Sequence, residues 1–86
     1  VKTIFLLIAQ YDSRSVIPVA EICQDYFTHL TPAKFIRKVT AGQIELPLVS
    51  MEDSQKSMHG VHLTDLAAYI DKRREQALRE LNKISG

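Results

Sequence analysis

The chain has 86 residues, 45% of them hydrophobic and 24% charged, a balance that suits one small folded domain and excludes a disordered segment. Net charge is only +1, so overall charge argues for no polyanionic partner, and the single Cys23 excludes an internal disulfide or a multi-cysteine zinc site. A core this small supplies about 3–5 kcal/mol, which makes support from a partner subunit plausible.

The chain opens on an apolar element within residues 1–15. Ile4 to Ala9 is far too short to cross a membrane and is followed by no cleavage site, so neither a span nor a signal peptide is expected and the location expected is cytoplasmic. Thr3 is placed to cap a helix in which Ile4, Leu7, Ile8 and Tyr11 form one face. A short buried strand is the competing reading, but helix is favoured. Phe5 and Leu6 make the element apolar nearly all round, so Ile4, Phe5, Leu6 and Ile8 are candidate oligomer contacts. Asp12 to Ser15 reads as a polar turn, and Val16 and Ile17 pair briefly as strand.

Residues 18–42 read as a helix-turn-helix. Val19, Ile22, Cys23, Tyr26 and Phe27 make one apolar stripe, and Glu21, Gln24 and Asp25 fall on the other side. Pro18 fits the first turn of that helix. Cys23, on the stripe, is expected to be buried packing. After a turn at Thr28-His29-Leu30, Thr31 caps a second helix, Pro32 takes its first position and Gly42 ends it. Phe35, Ile36 and Val39 face one side of this helix, and Lys34, Arg37, Lys38 and Ala41 face the other. Alone, such a helix would be an ordinary solvated surface helix. The helix and turn before it favour a DNA-reading element. From Thr31 to Ile44 there is no acidic residue, and from Ser54 to Thr64 there is none either, while Lys56, His59 and His62 fall in the second stretch.

Residues 44–63 read as a hairpin, the wing of a winged helix. Ile44, Leu46 and Leu48 alternate as a half-buried strand that Pro47 confines to an edge or bulge. Glu52 to Gly60 is a polar loop, and Val61 to Leu63 a short returning strand. Thr64 then caps a last helix over 64–84, with Asp65 in its first turn. Leu66, Ala67 and Ile70 pack inward. Ala77, Leu81 and Ile84 continue the stripe beyond what so small a domain can cover, and they are further candidate oligomer contacts. Arg73, Arg74 and Arg79 are interleaved with Asp71, Glu75 and Glu80 and read as solvated.

No catalytic constellation is present. The three glycines are isolated, so there is no phosphate-cradling loop, and Lys56, Ser57 and His59 have no orienting third group. His59 and His62 are too few for a metal site, and in a strand they point to opposite faces. Neither an enzyme nor a cofactor is expected.

The fold class expected is mostly α with a small β-hairpin, a winged helix-turn-helix forming one DNA-binding domain over 1–86. Excisionases and the AlpA and MerR-like regulators share this layout. The chain more closely resembles the pyocin activator (PrtN) family. The resemblance is carried by Thr3-x-Phe5-Leu6-Leu7-x-Ala9-Gln10-Tyr11, Val19 to Phe27, Leu46-Pro47, Ser54-Gln55-Lys56-Ser57 and Val61-His62-Leu63-x-Asp65-Leu66-Ala67. It implies a transcription activator that binds short repeated boxes upstream of bacteriocin or prophage-type genes. It also implies that Thr31 to Ala41 is the recognition helix and that Ser54 to Ser57 lie in the wing.

The expected partner is double-stranded DNA. Arg37 can bind guanine in bidentate fashion, with Lys34 and Lys38 on phosphates. Thr31 and Ala33 can touch a phosphate or a thymine methyl. Ser54, Gln55, Lys56 and Ser57 offer phosphate- or minor-groove-binding groups. His59 and His62 complete the candidate set, and His29 in the turn can cap a carbonyl or reach the DNA backbone. A homodimer or higher oligomer is expected, with RNA polymerase as a further candidate partner. Two other readings stay open: an excisionase-like protein that bends DNA, and a protein-interaction module such as an antirepressor.

Overall fold

A computed structural model describes residues 2–53 and 58–85. In chain order the elements are α1 (Thr3–Gln10), β1 (Val16–Pro18), α2 (Val19–Tyr26), α3 (Pro32–Thr40), β2 (Val49–Ser50), β3 (His59–His62) and α4 (Leu63–Ser85). The molecule is mostly helical, with a three-stranded antiparallel sheet ordered β1-β3-β2. β3 is central: Ile17 faces Val61 on one side and Val49 faces Gly60 on the other.

The helical reading of the N-terminal element is right. Leu7 and Tyr11 enter the core, and Ile4 packs half-buried against it. Thr3, however, does not cap this helix. Lys2 occupies the cap position without a side-chain bond, and the Thr3 hydroxyl donates to the Asp71 carboxylate of α4. A charged acceptor on the neighbouring helix outcompetes the local backbone. Asp12 and Ser13 then take positive φ (53° and 63°), turning the chain into β1.

Pro18 is both the last residue of β1 and the N-cap of α2, rather than a first-turn residue. β1 is an edge strand, where a missing N–H is tolerated. Val19, Ile22 and Cys23 of α2 and Phe35 of α3 are buried as their spacing predicts, but Tyr26 on the same stripe is exposed, its hydroxyl donating to Gln10 of α1. The Phe27 ring lies 4.9 Å from that of Phe35 and 6.2 Å from that of Tyr69, so one aromatic joins α2, α3 and α4.

Three boundaries differ from the sequence reading. Ile44 and Leu46 are buried and Leu48 half-buried, yet the ladder holds only Val49–Ser50. The Leu46 N–H closes a tight turn onto the Ile44 carbonyl, and Pro47 has no N–H to give. The returning strand begins at His59, so Gly60 lies in its middle rather than in a loop. It also ends at His62, because Leu63 already starts α4. Thr64 is therefore inside α4 and does not cap it. Its N–H donates to His62 Nδ1 at 3.1 Å, so the histidine does the capping.

α4 covers the core with Leu63, Leu66 and Ala67 and then runs out past it. Its 23 residues make it roughly 34 Å long, which sets the 50 Å long dimension of the molecule. No helix among the described residues is long and apolar enough to cross a membrane.

Candidate nucleic-acid interface

The exposed face of α3 is built by its two ends. At the start, Thr31 Oγ1 accepts the Lys34 N–H at 3.3 Å, and Pro32 follows the cap. At the end, Gly42 takes φ 78°. Its N–H bonds to the Val39 carbonyl, and the Gln43 N–H bonds to that of Lys38. This paired closure satisfies the last carbonyls and folds Gln43 back alongside the helix. Thr40 also returns its hydroxyl to the Ile36 carbonyl at 2.9 Å.

Phe35 is fully buried and Ile36 and Val39 half-buried, which pins the helix and leaves Thr31, Ala33, Lys34, Arg37 and Lys38 exposed. Lys34, Arg37, Lys38, Ala41 and Gln43 together line one open depression. Gln43 is the member that sequence reasoning missed. Its signal was Gly42, since a left-handed residue at that point directs its successor back to the helix.

The cations of this face are unpaired among the described residues. The ion pairs lie elsewhere, between Arg14 and Glu21 and between Lys72 and Glu45. Arg14 holds the Glu21 carboxyl below its ordinary range, and Lys72 does the same to Glu45. Asp25 of α2 accepts the Tyr11 hydroxyl at 2.6 Å. Burial first, and Asp25 second, push the Tyr11 phenol above its ordinary range, and burial pushes the Cys23 thiol up. The carboxylates of α2 thus have partners of their own, and the α3 cations are free to meet an anion. Arg37 and Lys38 also sit in the last turn of α3, where they complement its dipole. That modest structural role would hold with or without a ligand.

The other candidates are not brought together with this face in the same way. His59 and His62 are half-buried on β3. His62 commits Nδ1 to the start of α4, leaving Nε2 as its donor. His29 is exposed, its ring 6.5 Å from that of Phe27. Ser54, Gln55, Lys56 and Ser57 lie outside the described residues.

An exposed helix with unpaired cations, neutral small side chains at its start and an amide beside it offers phosphate neutralisation and base-edge contacts. It offers no nucleophile, acid or base held in place by a second group. A family model described as pyocin activator protein PrtN matches residues 3–77. No curated protein and no solved structure matches.

Proposed function

The chain belongs to the pyocin activator family, regulators of pyocin genes, and from that premise we propose that it is a sequence-specific DNA-binding transcription activator built as a winged helix-turn-helix. In this reading α2 and α3 are the helix-turn-helix, α3 is the recognition helix, and the β2–β3 hairpin is the wing. The observation that carries it is the α3 face, where Lys34, Arg37 and Lys38 stand exposed and unpaired among the described residues on a helix pinned through Phe35. Arg37 reads a base edge, Lys34 and Lys38 neutralise phosphates, and Thr31, Ala33 and Gln43 position the helix. The two β3 histidines approach the adjoining DNA backbone, and Ser54, Gln55, Lys56 and Ser57 are proposed as further DNA-binding residues. The protein acts in the cytoplasm and has no catalytic step.

Fluorescence anisotropy with labelled duplex from upstream of a pyocin-type operon tests this. Wild type should bind that duplex with a steep salt dependence and discriminate against a scrambled one. Arg37→Ala should lose about 1–3 kcal/mol of the specific affinity. Equal affinity for both duplexes, with bending of each, would favour an architectural protein. No binding to either duplex at low salt would leave a protein-interaction module.

A further inference from the structure

The outer half of α4 carries exposed apolar side chains. Leu78 is 42% exposed, Leu81 56% and Ile84 84%. Inward along the helix, on the side that Ala77 and Ile84 share, lies a cleft of about 370 Å³. Tyr26, Phe27, Leu66, Tyr69 and Ile70 line it, with Arg73 and His29 at its polar edge. Leu66, Ile70, Arg73, Ala77, Glu80 and Ile84 follow one another at alternating spacings of four and three. That is one continuous seam, the repeat of paired helices. Its inner half has an open cleft and its outer half has uncovered side chains.

We propose that a second copy of this chain fills the cleft, through an antiparallel, two-fold symmetric pairing of α4 with α4. Each copy then lays Leu81 and Ile84 over the Ile70 and Leu66 region of the other, centred near residues 75 and 76. Charge favours this register. It brings Arg73 of each copy within a turn of Glu80 of the other, and the pair is made twice. A pairing shifted outward by one heptad would oppose Glu80 to Glu80. A parallel pairing would oppose Arg73 to Arg73. In the monomer Arg73 Nη1 donates to Gln76 at 2.8 Å, and neither Arg73 nor Glu80 has an ion pair among the described residues.

The apolar area is also substantial. The exposed parts of Leu81, Ile84 and Tyr26 amount to roughly 350 Å² per copy, taking about 200 Å² for each fully exposed large side chain. A standard interface buries about 800 Å² per partner and is somewhat more than half apolar, so these three side chains supply most of that apolar share. This pairing uses Ala77, Leu81 and Ile84. Of the N-terminal residues, Ile4 packs half-buried against the core of its own chain, and Phe5, Leu6 and Ile8 remain exposed. The pairing does not rest on DNA binding, and residues 78–85 lie beyond the stretch that the family model matches.

Sedimentation velocity on the full chain at about 1–100 μM, the range in which a small interface associates, tests it. Wild type should sediment as twice 9.8 kDa. Leu81→Glu should shift the chain to monomer, with circular dichroism confirming that it remains folded. Arg73→Glu and Glu80→Arg should each weaken the dimer about tenfold or more, and the double variant should restore it. Spin labels at Ser85→Cys, with Cys23→Ser, should lie about 30 Å apart, against roughly 10 Å for a parallel pair. A monomer throughout, a dimer indifferent to Leu81→Glu, failure of the charge exchange to rescue, or the short label distance would each overturn the proposal.

Discussion

Two side chains show how single residues carry this fold. Tyr11 is 3% exposed, and its hydroxyl reaches out of the core to Asp25, tying the end of α1 to α2. Tyr11→Phe keeps the ring and loses that bond to a charged acceptor. It should lower stability by about 1–2 kcal/mol in urea denaturation at neutral pH. The phenol is held above its ordinary range. The stability it contributes is therefore fully present below about pH 10, the unfolded value, and is lost as pH rises through the higher folded value. In the Phe variant that alkaline loss should shrink. Gly60 matters for what it lacks. A Cβ there would lie 2.6 Å from Val16 Cγ1 and 2.9 Å from the Ile17 carbonyl oxygen. Gly60→Ala should cost about 1–3 kcal/mol, seen as a Tm lower by roughly 4–8 °C per kcal/mol. Nothing in the local sequence distinguishes this glycine, because the constraint comes from β1, more than 40 residues earlier.

At the scale of elements, α3 is the most completely specified by its own residues. Thr31, Pro32 and Gly42 mark its ends, and Phe35 fixes its buried side. Thr31→Ala should lower stability by about 0.5–1 kcal/mol, the low end of the cap range, since the bond is long and exposed. Thermal denaturation reads that loss. The same change should weaken DNA binding only modestly if Arg37, Lys34 and Lys38 carry the affinity. The start of α4 was less legible. Thr64 followed by Asp65 has the form of a cap, but β3 delivers His62 to the Thr64 N–H, and the Leu63 N–H reaches the Ser15 carbonyl across the sheet. Secondary-structure boundaries that depend on a partner strand cannot be read from nearest neighbours.

For the whole molecule, distribution of charge counts for more than its sum. A net charge of +1 would give weak attraction for a polyanion if spread evenly. Here Glu21 and Glu45 are paired with Arg14 and Lys72, and the three α3 cations stand together on one open face. Lys34→Ala should therefore reduce the slope of log affinity against log salt by about one, while leaving sequence preference intact. Anisotropy over a salt series measures both. The long axis set by α4 matters at this scale too, because it is the overhang that exposes the surface proposed to receive a second copy.

The pattern of residues by itself determined the helical elements, their buried stripes apart from Ile8 and Tyr26, which are exposed, the ends of α3, and its basic outer face. These follow from periodicity and from end-capping chemistry, which act over a few residues. The strand alternation from Ile44 was read correctly as burial but wrongly as a ladder. Only the tertiary structure decided which backbone groups found partners across the sheet, that His62 caps α4, and that Gln43 joins the basic face. It alone placed the aromatic cleft of Tyr26, Phe27 and Tyr69 on the same side of α4 as the uncovered Ala77 and Ile84. Each of those depends on residues distant in the chain being brought into contact, and no local pattern encodes the separation across which they meet.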